Sequence, residues 1–88
     1  MKIKYSSKFE REYCKLSLKV KELAEIKEET FRENPFDISL KTHKLKGGLK
    51  GFWSFSINQK FRIIFEFVND NEVWFHSVGD HAIYNLWD

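Results

Sequence analysis

The chain carries a single cysteine among its 88 residues, which excludes an internal disulfide and a four-cysteine zinc site. Cys14 has no special neighbours in the sequence and is expected to be a buried apolar side chain. No apolar run approaches the roughly 18 residues that a membrane span needs. The N-terminal segment Met1–Glu10 lacks the apolar stretch of a signal peptide, so the expected location is the cytoplasm, with no membrane contact. The three histidines are far apart and show no metal-ligand spacing, so no metal is expected. No glycine-rich phosphate loop leads into a helix, and no cofactor is implied. The most informative shortage is of acid. From Ile38 to Phe65 there is no Asp or Glu at all.

That stretch holds six basic residues: Lys41, Lys44, Lys46, Lys50, Lys60 and Arg62. The rest of the chain has nine basic residues against all thirteen acids, a balance of −4, so the net charge of +2 hides a segregated distribution. Positive charge gathered in one region favours a polyanionic partner. The chain has the length of one domain, and its small size demands an efficient core. Nine Phe, three Trp and three Tyr supply large apolar area per residue.

Alternation over Lys2–Tyr5 predicts a short strand. Ser6 or Ser7 is a helix cap, and Glu10 lies at capping-box distance from Ser7. Phe9, Tyr13 and Leu16, then Val20, Leu23 and Phe31, follow helical spacing. Leu16, Leu18 and Val20 break the 3.6-residue period, which predicts two helices with a tight turn near Ser17. Mixed charge over Lys21–Glu33 reads as a solvated outer face. Asn34-Pro35 ends the helical region, and a loop is expected from Phe36 to about Gly51. Three apolar runs follow, Phe52–Ile57, Phe61–Val68 and Val73–Val78, separated by turn residues at Asn58-Gln59 and Asn69-Asp70-Asn71. The expected fold is α+β: an N-terminal strand, a helical hairpin, then an antiparallel sheet with the helices on one face. Trp53, Phe55 and Ile57 should share one sheet face with Ile63, Phe65 and Phe67. Ser54, Ser56, Arg62, Ile64 and Glu66 should take the other.

RNA cleavage without a metal proceeds by attack of a ribose 2′-hydroxyl on the adjacent phosphate. It needs a base for that hydroxyl, an acid for the leaving 5′-oxygen, and positive charge on the phosphoryl oxygens. Histidine titrates near neutral pH and suits the first two roles. The guanidinium fork suits the third. His43, His81 and Arg62 are the residues on offer. Each also has a plain structural reading. His43 can be an idle loop residue, His81 a turn residue after Asp80, Arg62 a partner of Glu66, and the lysines an ordinary solvated loop. His76, between Phe75 and Ser77 on a strand, reads as structural.

Five segments carry a resemblance: Asn34–Asp37, Leu40–Gly47, Leu49–Phe55, Phe61–Glu66 and Val78–Tyr84. Together they make residues 1–88 similar to the RelE/ParE superfamily of bacterial toxins, as one toxin domain. The resemblance implies the toxin of a type II toxin–antitoxin system, in which many members enter the ribosome and cut mRNA while others inhibit DNA gyrase by binding. It implies His43 and His81 as catalytic histidines of the YafQ-like branch and Arg62 as the phosphate-stabilising arginine of the RelE- and YoeB-like branches. Tyr84 matches the C-terminal aromatic that assists the site. Lys41, Lys44, Lys46, Lys50 and Lys60 would face RNA. The YafQ-like branch has a further histidine and a carboxylate where this chain has Ser56 and Lys60. The glutamate of the YoeB-like basic loop has no counterpart here. Base and acid are thus open from the residues, and the family picture favours His81 as acid and His43 as base. Implied partners are the 70S ribosome with its mRNA and a cognate antitoxin, whose disordered segment folds over the basic site in a heterotetramer or larger complex.

Overall fold

A computed structural model describes residues 1–80 and 82–86. In chain order the elements are β1 (Lys2–Tyr5), α1 (Ser7–Cys14), α2 (Leu18–Glu33), β2 (His43–Lys44), β3 (Trp53–Ser56), β4 (Arg62–Asn69), β5 (Glu72–Gly79) and α3 (Ile83–Leu86). The cap of α1 is Ser6, whose hydroxyl accepts from the Phe9 amide at 3.0 Å. The Ser7–Glu10 capping box is therefore not formed; Glu10 simply lies in the first turn, where a carboxylate favours the positive helix end. Ser17 caps α2 through the Val20 amide, which confirms the break expected there. Asn34 closes α2 in an extended conformation ahead of Pro35.

The strand order is β1-β5-β4-β3-β2. β3, β4 and β5 pair antiparallel, as expected, and β2 adds to β3 antiparallel, whereas β1 lies parallel to β5. The sheet is therefore mixed rather than wholly antiparallel. The helical hairpin carries the chain to the far edge, and three reversals from β2 bring it back beside β1 running the same way. Two of the three reversals, β3–β4 and β4–β5, are tight turns. The Asn58 side chain accepts from the Lys60 and Phe61 amides, and that of Asn69 accepts from the Asn71 amide. Two elements were not legible in advance: the two-residue edge strand β2, inside what reads as a loop, and the C-terminal turn of helix α3.

The core lies between the helices and one sheet face. Phe31 from α2 is fully buried among Phe55, Phe65 and Phe75, with ring centroids 4.9 Å, 4.9 Å and 5.6 Å away. Phe9 of α1 meets Phe75 at 5.5 Å. A polar clamp fixes α1 to β5: Glu12 accepts from Lys8 Nζ (2.7 Å), from the Ser77 hydroxyl (2.7 Å) and from the Val78 amide (3.2 Å). Cys14, expected inside, is exposed, because the last turn of α1 places it at the surface beside the cleft between the helices. Leu49, Ile64 and Ile83 are also buried but lie outside the main core cluster. Ile64 points to the opposite face of the sheet, and Ile83 packs close to Gly79 at the end of β5.

Candidate active site

Alternation along β3 and β4 decides which residues turn from the core. Phe55, Ile63 and Phe65 face the helices, so Ser54, Ser56, Arg62 and Ile64 face away. Ser56 pairs with Arg62, and Arg62 in turn with Gly79 on β5. His43 pairs with Ser54, which places the imidazole on this same face at the sheet edge, exposed to solvent. From strand spacing and rise, the Cα atoms of His43 and Arg62 are about 12 Å apart. Two long side chains rising from one face can close on a phosphodiester across that span.

The His43 ring is oriented. Its Nδ1 lies 3.0 Å from the Lys41 carbonyl oxygen. A carbonyl oxygen only accepts, so Nδ1 carries the proton and the neutral ring presents the Nε2 lone pair. Lys41 adopts a left-handed conformation (φ 53°) at the end of the short turn Ile38–Leu40, which aims its carbonyl at the ring. Sequence reasoning had no signal for this contact, since it depends on one unusual backbone angle.

Arg62 does not pair with Glu66. Its Nη1 donates to the backbone carbonyls of Asn58 and Phe61, the latter at 3.0 Å. The Asn58 turn thus holds one corner of the guanidinium, while Nε and Nη2 make no hydrogen bond among the described residues. Glu66 instead accepts from His76 Nε2 at 2.9 Å, so His76 has the structural partner expected of a strand histidine. Its ring also packs against Phe52 at 5.2 Å.

Tyr84 reaches the site from α3, its hydroxyl 2.8 Å from the Ser54 hydroxyl. Ser54 is fully buried, so this bond both satisfies a buried polar group and fixes the tyrosine beside the His43 pair. The Ser54 partner was not anticipated; a lone serine alternating with Trp53 and Phe55 is the only hint the sequence holds. Gly79 permits this approach: a Cβ there would stand 2.4 Å from Ile83 Cγ2. His81 lies outside the described residues. The residue after it, Ala82, donates its amide to the Asp80 carboxylate at 2.9 Å.

The lysines divide. Lys41, Lys46 and Lys50 are exposed along the connection around β2, and Lys60 is exposed in the β3–β4 turn with its ammonium 5.5 Å from the Phe61 ring. Lys44 points to the helix side, its ammonium 5.4 Å above Trp53. It therefore stands on the other face from His43. Among the described residues, no group of three or more His, Cys, Asp or Glu side chains is placed to hold a metal.

The family model for the bacterial toxin of type II toxin–antitoxin systems, YafQ, matches residues 1–85. The chain belongs to the YafQ toxin family. The RelE/ParE resemblance read from its segments thus rests on nearly the whole length. A YoeB/ParE toxin from Agrobacterium tumefaciens superposes with a TM-score of 0.78 at 19% identity, covering 92% of this chain and 99% of that one. YafQ from E. coli strain BL21(DE3) gives 0.73 at 22% identity, covering 93% and 94%. The toxin of the YoeB-YefM complex from Staphylococcus aureus gives 0.74 at 24% identity, covering 92% and 97%. At these identities the solved structures support the fold, and the family match supports the toxin assignment. No curated protein matches the sequence.

Proposed function

We propose that this YafQ-family toxin is a metal-independent endoribonuclease that cuts mRNA on the ribosome and so blocks translation. The observation that carries the reading is the shared sheet face. There an oriented histidine and an arginine with donors to spare, both from the acid-free stretch Ile38–Phe65, share a face with a tyrosine anchored on Ser54.

In the proposed reaction His43 Nε2 takes the proton of a ribose 2′-hydroxyl, and the 2′-oxygen attacks the adjacent phosphorus. The bond from phosphorus to the 5′-oxygen breaks, and a protonated His81 gives that oxygen its proton. The products are a 2′,3′-cyclic phosphate and a 5′-hydroxyl. Arg62, held at Nη1, offers its remaining donors to the phosphoryl oxygens as charge develops. The backbone carbonyls that hold it would preorganise those donors before substrate arrives. General acid–base help of this kind is worth about 10²–10⁴ in rate, and preorganised charge a comparable factor. Tyr84 would position the RNA strand beside His43. Exposed Lys41, Lys46, Lys50 and Lys60 would hold flanking phosphates, and Lys44 would act from the edge of β2 toward the other face.

Residues 1–88 would act as one toxin domain in the cytoplasm. Relatives of the same fold have been solved as toxin–antitoxin complexes, the E. coli DinJ-YafQ complex and a heterotetrameric YoeB-YefM complex among them. A cognate antitoxin is accordingly proposed here, with a segment covering the basic region and neutralising it in a heterotetramer or larger complex.

The test is a cell-free translation reaction with one defined mRNA, with new 5′ ends mapped by primer extension. Wild-type protein should create new ends only when ribosomes are present, and His81→Ala should abolish them. Intact mRNA with normal translation would sink the nuclease reading. Relaxation of a supercoiling assay by the same protein would then favour the rival, inhibition of DNA gyrase by binding.

A further inference from the structure

On the helix side of the sheet, remote from the proposed nuclease face, a cleft of about 350 Å³ opens between α1 and α2. Its walls are aromatic: Tyr5, Phe9, Tyr13 and Phe75, with Tyr5 and Phe9 centroids 5.5 Å apart and Phe9 and Tyr13 stacked at 5.9 Å. Its rim is acidic, formed by Glu10, Glu25 and Glu28, and no Lys or Arg lines it. We infer that this cleft is a binding site for a linear aliphatic polyamine, its methylene stem lying on the rings and its ammonium groups meeting the glutamates.

Three features favour that ligand. First, ring faces carry negative quadrupole and attract ammonium groups, an effect the chain already uses here, with Lys21 Nζ 5.8 Å from the Tyr13 centroid on the helix surface. Second, the local field favours cations. Burial and then the Glu28 carboxylate push the Tyr5 hydroxyl up to about 12, although Arg32 opposes the rise. Burial and then Glu25 and Glu28 raise Tyr13. Burial disfavours any charge, but the Glu25 and Glu28 carboxylates that add to the rise also attract a cation. Third, the size suits a slender ligand, at the lower end of the range for small-molecule sites. Glu28 already accepts from the Tyr5 hydroxyl at 2.5 Å, so Glu10 and Glu25 are the rim carboxylates left for a ligand; an anion or RNA would be repelled there. Ile63 lies at the floor, adjacent in β4 to Arg62, so an occupied cleft bears on the strand that presents the arginine.

The inference is independent of the nuclease reading, and its test does not use activity. Spermidine would be titrated into the full-length toxin in about 150 mM KCl, followed by calorimetry and by NMR of the tyrosine rings. Saturable binding with one spermidine per chain is expected, with shifts concentrated at Tyr5 and Tyr13. The double substitution Glu10→Gln/Glu25→Gln should weaken it about tenfold or more, the scale of a lost charge contact. Both residues are exposed, so the fold should hold, and an unchanged melting temperature without ligand would establish that. As a second variant, Ala24→Leu at the buried wall of the cleft fills it without touching charge and should abolish binding, with its melting temperature measured as the control for the fold. Non-saturable binding, binding that Mg²⁺ at equal charge displaces fully, or wild-type affinity in both variants would each overturn the assignment.

Discussion

The two faces of this sheet are built by opposite rules. The helix face is closed by a stack of phenylalanines around Phe31, every one of them buried. The other face carries Ser54, Ser56, Arg62, His43 and Tyr84, with the buried Ile64 among them. One face supplies the apolar burial that a chain of this size needs. The other holds polar groups whose satisfaction is local and specific: Ser54 by Tyr84, one corner of Arg62 by the Asn58 turn, His43 by a backbone carbonyl. The contrast teaches that stability and the proposed chemistry are separable by face, even though consecutive residues such as Arg62 and Ile63 serve different faces.

The largest expected effect is on the closed face. Phe31→Ala should cost about 3–5 kcal/mol, read as a fall in the denaturation midpoint with unchanged slope. A cost under about 1 kcal/mol would mean the stack is not the main support. Next comes the junction of the two faces. Gly79→Ala should destabilise by about 1–3 kcal/mol through overpacking against Ile83 and should displace α3 with Tyr84. Combining it with Ile83→Ala should recover part of that loss, as a double-mutant cycle would measure. Purely additive costs would contradict the contact. Ser54→Ala should cost about 1 kcal/mol and loosen Tyr84, seen as increased solvent access of the tyrosine. The smallest effect is at Tyr5. Its raised titration favours the folded state while the phenol is protonated, so that contribution is complete below about 10, the ordinary phenol value, and is lost as pH rises toward about 12. Tyr5→Phe should therefore flatten the loss of stability over that range, compared with wild type by thermal melting.

Much of this contrast was legible beforehand. Period-two alternation sorted Arg62 and Ser56 away from Phe55 and Ile63, and a break in helical period located the turn at Ser17. What escaped lay in long-range or single-residue geometry. β2 is two residues long and exists because His43 and Lys44 dock on Ser54 and Trp53, not because of a local pattern. The parallel pairing of β1 follows from the parity of the strands between. Cys14 was misjudged because residue type, rather than its position on the final turn of α1, decided the expectation. The partner of Glu66 turned out to be His76, which the register of β4 on β5 alone decides.

The central claim is that Arg62 belongs to the chemistry and Phe31 to the fold. The most direct test compares Arg62→Ala with wild type in one preparation, measuring the rate of ribosome-dependent mRNA cleavage and the melting temperature together. The account predicts a loss of about a hundredfold or more in cleavage, with a destabilisation of only about 1 kcal/mol from the lost carbonyl bonds. Cleavage at the wild-type rate, or a loss explained wholly by unfolding, would contradict it.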